Sequence, residues 1–302
     1  MRVVASAVVY LVAAVTVMCA IVVTGSFMRE VTLGARLGAP AADARPAVAF
    51  SADVVRRLDA LVAAFPGKAG VWITDSVSAS PLYSRAANTG VVSASLYKLG
   101  VLLEAERRVD RGELHYNDPI TIKVDDVTDD GSAYEAGTVL TLDEALEAMI
   151  TLSDNGAALA VWHLVGGAAI DAAVVRAGIP DFHVSVDRSG NTVATPRGIG
   201  TFFTLLARKE LVSAKASERM LARLERQRVN DRLPAALPAT VVIAHKTGNL
   251  PGLIHDAGII FTPAGPRIVV VMTWEAFDGA NKFIADVAAT VYGASSAGLH
   301  TP

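Results

Sequence analysis

The sequence predicts an α+β fold in which strands from both ends of the chain share one antiparallel sheet and helices fill the middle. Two observations carry this. Short apolar runs rich in β-branched residues occur near residue 70 and again after residue 240. Between them, from about residue 95 to residue 228, apolar residues recur at helical spacing. A single sheet built from both ends must bring residue 72 beside residue 270, and the helical insert then forms a second lobe.

The elements follow in order. Val54, Val55, Leu58, Leu61 and Val62 recur at helical spacing after Ser51, and Pro66-Gly67 ends that helix. Gly70-Val71-Trp72-Ile73-Thr74 reads as a strand with Leu82-Tyr83-Ser84 as its hairpin partner. Helical spacing resumes from Ser95 to Val109. Thr141-Leu142-Asp143-Glu144 is a capping box, opening a helix through Ala145, Leu146, Met149 and Ile150 towards Ser153. Further helices are expected near 155–165, 168–177, 197–208 and 214–228. Three strands follow, at 241–244, 258–261 and 267–272, and a helix from Asn281 to Tyr292 closes the domain.

The chain has 302 residues, 52 % of them hydrophobic, and a net charge of −3. No dense Lys/Arg run is present, which argues against a nucleic-acid partner. Val3 to Gly25 carries no charged side chain, and Arg2 and Arg29 flank it. That length matches the roughly 20 apolar residues of a membrane-spanning helix. It exceeds the h-region of a typical signal peptide and lacks a small-x-small site close behind it, which favours an anchor over a cleaved signal. Residues 1–28 are therefore expected to act as a membrane anchor or signal, and 29–49, rich in Ala, Gly and Pro, as a tether. The catalytic domain at 50–294 would lie outside the cytoplasm, followed by a tail at 295–302. The sole cysteine, Cys19, lies within the apolar run, so the exported part can form no internal disulfide. Met18 before it argues against a lipid-attachment box.

Three motifs carry chemistry: Ser95-Leu96-Tyr97-Lys98, Ser153-Asp154-Asn155 and Lys246-Thr247-Gly248. Taken singly, each has a plain structural reading. Ser95 would be a helix cap with Lys98 an exposed lysine, the second motif a capping cluster, and the third a strand end at a glycine turn. In this order and on these elements they supply a hydroxyl nucleophile, two lysines to manage its proton, a second hydroxyl and an amide. Ser95 and Lys98, three residues apart at a helix start, share one face. No G-x-S-x-G segment and no HExxH or Cys/His ligand set is present, so neither an esterase elbow nor a zinc hydrolase is expected.

The set S-x-x-K, S-D-N and K-T-G resembles the class A β-lactamase and penicillin-binding-protein family. Ser93 to Gly112, Met149-Ile150-Thr151-Leu152, Asn191 to Arg197 and His255 to Ile260 extend the resemblance over about residues 50–294. It implies an antiparallel sheet flanked by the N- and C-terminal helices, plus an all-helical lobe. It also implies roles. Ser95 attacks a carbonyl and is acylated; Lys98, if neutral, takes its proton, helped by like-charge repulsion from Lys246. Ser153 relays a proton to the leaving nitrogen, and Asn155 binds the substrate amide. The backbone N–H groups of Ser95 and Asn249 form an oxyanion hole. Lys246 and Thr247, beside Gly248, hold the substrate carboxylate, and Arg232 stands where some relatives carry an arginine that assists it. His245 and His255 flank the site in sequence and read as packed or surface residues rather than catalytic ones.

The family's E-x-x-L-N segment, whose Glu activates the deacylating water, is missing between Asn155 and Lys246. Asp187, beside Arg188, is the nearest carboxylate in the shortened connection and reads as a structural ion pair. The expected function is therefore acyl-enzyme formation with β-lactams or related amides, followed by slow deacylation. Two alternatives remain open: a D-alanyl-D-alanine peptidase acting on peptidoglycan stem peptides, and a non-hydrolysing wall-binding or β-lactam-sensing module. No cofactor or metal is implied, and the protein is taken as a monomer.

Overall fold

The computed structural model describes residues 49–78, 80–128, 131–185 and 191–296. The apolar run at 3–25 with Cys19, nearly all of the tether, Asp187, Arg188 and the last residues of the tail lie outside these. Among the described residues no single helix is long and apolar enough to cross a membrane.

Helix α1 (Ala52–Ala64) is capped by the Ser51 hydroxyl. Strands β1 (Lys68–Asp75), β2 (Tyr83–Arg85) and β3 (Val91–Val92) follow, then α2 (Lys98–Asp110), β4 (Pro119–Thr121) and β5 (Val139–Thr141). The helical lobe continues with α3 (Leu142–Glu147), α4 (Asn155–Val165) and α5 (Gly167–Arg176). Short strands β6 (Phe182–His183) and β7 (Val193–Ala194) precede α6 (Pro196–Ala207) and α7 (Ala214–Leu224). The chain closes with β8 (Ile243–Leu250), β9 (Leu253–Thr262), β10 (Gly265–Trp274) and α8 (Ala280–Ser296).

The main sheet is antiparallel in the order β2-β1-β10-β9-β8, and Trp72 lies opposite Val270 as expected. Side-chain alternation splits its apolar residues between two cores. Val71, Ile73, Val269 and Val271 face α1 and α8, burying Leu58, Ile284 and Val291. Ile268, Val270 and Met272 face the helical lobe with Phe202, Phe203, Leu99 and Leu102. The central strands therefore read as continuous apolar runs, being covered on both faces. Close packing fixes α6 against the sheet: a Cβ at Gly200 would lie 2.2 Å from the Trp72 ring.

The structure differs locally from the sequence expectation. The lobe also carries two small sheets, β3-β7-β6 and β4-β5, whose two- and three-residue strands are too short to show a period. Helix α7 stops at Leu224 rather than 228. The expected strand at 241–244 begins later and runs through K-T-G to Leu250.

Candidate active site

The nucleophile candidate sits on a strained turn. Ser93 is tied to Thr192 through its backbone N–H (2.9 Å) and its hydroxyl (2.6 Å). Ala94 then adopts a left-handed φ of 45°, a conformation that costs a non-glycine residue roughly 1–2 kcal/mol. A 3₁₀ turn, Ala94–Tyr97, precedes α2, so the expected helix from Ser95 starts with a tighter turn. Leu96 and Leu99 are fully buried and lock it in place, leaving Ser95 half-buried. The Lys98 side chain, three residues on, is fully buried.

The second motif depends on a helix defect. After α3 the chain forms one π turn, Ala148–Leu152, and Ser153 takes a left-handed φ of 59°. Such single π turns are frequent at functional sites. This one redirects the Ser153 side chain between two lysines. Lys98 Nζ donates to Ser153 O (2.6 Å), Ser153 Oγ (3.3 Å) and Asn155 Oδ1 (2.7 Å). Lys246 Nζ donates to Ser153 Oγ (2.8 Å) and Thr247 O (2.9 Å). A hydroxyl has two lone pairs and one proton, so with both lone pairs facing lysines its proton points away from them. Asp154 plays a structural part: it caps α4 at Ala157 N (2.7 Å) and binds Ala133 N (2.6 Å).

The third motif lies inside β8, at the sheet edge, with Lys246 fully buried. Burial, and after it repulsion from Lys98, holds its ammonium pKa well below the ordinary lysine value, with Asp256 opposing and Arg232 adding to the shift. Gly248 permits the approach of β8 to the serine turn. A Cβ there would lie 3.2 Å from Ser93 O and 3.3 Å from the Ala94 Cβ. His255 braces the same contact from β9. Its Nε2–H donates to Val92 O (2.9 Å) while Nδ1 accepts from Thr273 N–H (3.1 Å), the pattern of a neutral imidazole, and burial lowers its pKa.

The remaining candidates divide. Ser95, Asn155 and Asn249 line an open cleft of about 390 Å³. Thr247 is 3 % exposed and lies in register with Asp256. Arg232 is 4 % exposed. Its Nη1 donates to the carbonyls of Gly248 (3.1 Å) and His255 (2.9 Å), and its Nη2 to Asn249 Oδ1 (3.1 Å). It thereby supports the cleft rim through Asn249. His245 occupies the opposite face of β8 from Lys246, clasped between Asp256 (2.9 Å) and Asn230 (3.0 Å). Sequence reasoning missed the cleft's apolar wall, formed by Leu159, Trp162 and Val184. Its one legible signal was the spacing of Leu159 and Trp162 from Asn155, four and seven residues along one helix face.

Comparison with known proteins identifies the family. No curated protein matches the chain. A β-lactamase from Sphaerobacter thermophilus has a similar structure (TM-score 0.74, 25 % identity, covering 82 % of this chain and 98 % of that one). PBP-A is similar at TM-score 0.74 and 23 % identity, over 82 % of this chain and 98 % of its own. An ancestral class A β-lactamase is similar at TM-score 0.72 and 24 % identity, over 80 % and 99 %. The family model described as the β-lactamase enzyme family matches residues 53–294. With that match spanning the sheet, the lobe and all three motifs, the chain belongs to the β-lactamase enzyme family and is a serine hydrolase of that type.

Proposed function

We propose that Ser95 forms an acyl-enzyme with β-lactams or related amides and that its hydrolysis is slow. The observation carrying this is the placement of Ser153 Oγ 2.8 Å from Lys246 Nζ and 3.3 Å from the Nζ of Lys98, the residue three along from Ser95. Lys98, in its neutral form and so donating only two of its three hydrogen bonds, takes the Ser95 proton as the Ser95 Oγ attacks the carbonyl. The Ser153 hydroxyl delivers a proton to the leaving nitrogen and is resupplied through the lysine pair. Asn155 orients the amide next to the scissile bond, and the backbone N–H groups of Ser95 and Asn249 stabilise the oxyanion. The polar edge of β8 receives the substrate carboxylate, with Arg232 holding that edge in position.

Slow deacylation follows from what surrounds the ester. No carboxylate is among the described residues lining the cleft, and E-x-x-L-N is missing from the sequence. Loss of a positioned general base typically costs about 10²–10⁴ in rate. The same three motifs also fit a second reading, peptidase action on peptidoglycan stem peptides. We further propose that residues 3–25 anchor the protein with its catalytic domain outside the cytoplasm. The test of the main reading is intact mass spectrometry after penicillin addition. One equivalent of persistent adduct, absent in Ser95→Ala, is expected; rapid turnover with no adduct would refute it.

A further inference from the structure

The π turn that presents Ser153 is held from outside its own helix. Ser153 and Asp154 N–H both turn back to Ala148 O, and the carbonyls of Ile150 and Thr151 are taken by the segment that follows α7. Gln227 Nε2 donates to Ile150 O (2.8 Å) and Arg228 N–H to Thr151 O (3.0 Å). Carbonyls at a helix end lack intrahelical donors and need such partners. Gln227 is buried, and its Oε1 accepts from the N–H groups of Arg228 (2.9 Å) and Val229 (3.0 Å). One amide therefore folds the segment after α7 and ties it to the π turn.

The far end of the same segment grips the sheet. Asn230 Nδ2 donates to Gln227 O (3.1 Å), which leaves its Oδ1 to accept from His245 Nε2–H (3.0 Å). The ring's Nδ1 meets Asp256 Oδ1 (2.9 Å), and Asp256 Oδ2 accepts from Leu233 N–H (3.0 Å). His245 is followed on β8 by Lys246, whose Nζ returns to Ser153 Oγ. The links close a ring that runs from the π turn through Gln227, Asn230, His245 and Lys246 back to Ser153. Gln227, Asn230 and His245 line a cavity of about 520 Å³ that shares no residue with the cleft. None of them is placed to touch a substrate bound beside Ser95.

We propose that Gln227 and Asn230 are positioning residues that set the distance between Ser153 Oγ and Lys246 Nζ. The assignment rests on the acyl-enzyme reading above, in which the Ser153 hydroxyl relays a proton through the lysine pair. Ser153 stands on a left-handed turn, and β8 is the last strand of its sheet, bonded to β9 alone. No strand pairing therefore fixes one side chain against the other, and the clasp from Gln227 to His245 supplies that constraint. Proton transfer needs donor and acceptor within hydrogen-bond reach, and a misplacement of about 1 Å can cost about 10²-fold in rate. Without its amides the clasp leaves both reacting groups present and lets their separation drift.

The test is the limiting rate of adduct formation with benzylpenicillin, by intact mass over a concentration series, in the wild-type protein, Gln227→Met, Ser153→Ala and the double variant. Gln227→Met keeps the length of the side chain and removes its amide. It is expected to slow the limiting rate by about 10- to 100-fold, with the half-saturating concentration within about threefold of wild type. In the Ser153→Ala background it is expected to slow the rate by less than about threefold, because a residue that acts through the hydroxyl has nothing left to position. An equal loss in both backgrounds would overturn the proposal, and so would an unchanged rate in the single variant. Asn230→Ala opens the clasp at its part-buried end and replaces Gln227→Met if that variant does not fold; its loss must likewise vanish in Ser153→Ala. Adduct in the wild-type protein without this coupling overturns the clasp alone. Absence of adduct in the wild-type protein overturns the acyl-enzyme reading, and the clasp with it.

Discussion

Lys246 Nζ lies 2.8 Å from Ser153 Oγ, and this contact joins the edge strand of the sheet to the helical lobe. Ser153 reaches it only because a π turn and a left-handed φ redirect its side chain. Backbone in such a region costs about 1–3 kcal/mol and persists where the surroundings over-determine it. Here they do: Arg228 N–H binds Thr151 O (3.0 Å) and Gln227 Nε2 binds Ile150 O (2.8 Å).

Replacing Ser153 with Ala removes the hydroxyl between the two lysines while leaving the turn's backbone bonds in place. Acylation by benzylpenicillin is expected to slow by about 10²–10⁴, the usual contribution of a positioned proton-transfer group. The thermal midpoint should move by only a few degrees. Stopped mass spectrometry gives the rate, and an unchanged rate would remove Ser153 from the relay.

Lys246 makes stability depend on pH in a direction opposite to that of a paired surface lysine. Its folded pKa is depressed by burial and by Lys98, so between that value and about 10.5 the unfolded chain binds more protons. Stability therefore rises with pH across this interval, and the penalty deepens as pH falls through it. Lys246→Met keeps the apolar stem and abolishes the penalty. It is expected to unfold at a higher temperature at pH 7, by about 2–4 °C for each kcal/mol relieved, with a flatter climb towards pH 10 and acylation lost. Melting curves from pH 7 to 10 check this; a slope equal to wild type would contradict it.

His255 acts on the acid side. Burial lowers its pKa below 6.5, and the neutral ring both donates to Val92 O and accepts from Thr273 N–H. As pH falls through 6.5 the unfolded state takes up the proton first. The contribution of His255 is complete above pH 6.5 and declines towards its folded pKa. Carboxylates such as Glu144, held low by bonds from the Thr141 backbone and hydroxyl, act only further into acid. His255→Gln can keep both hydrogen bonds without titrating, so its stability should fall less than wild type between about pH 6.5 and 5. Denaturant midpoints over that range measure the difference.

Much of this arrangement was legible in the residues. The pairing of Trp72 with Val270 follows from apolar runs at both ends of the chain, because two such runs must share a sheet to be buried. The convergence of Lys98, Ser153 and Lys246 was implied by the family resemblance that the three motifs carry. The length of β8 was not legible: Lys246-Thr247-Gly248 looks like a strand end because its polar residues break the apolar run. The structure keeps it in the sheet because His245, Lys246 and Thr247 each find buried partners or contacts. Arg232 resembled a solvated arginine or a substrate ligand. It is a buried brace, bonded to two carbonyls that lie 16 and 23 residues further along the chain.

By itself the sequence determined the α+β class, the helices and the central strands, because periodicity is a local property. Only the tertiary structure decided the left-handed Ser153, the close approach of β8 to the serine turn at Gly248, and the apolar wall of Leu159, Trp162 and Val184. Each of these depends on which distant surfaces pack together, and a period of 3.6 or 2 records that a face is buried without recording what buries it.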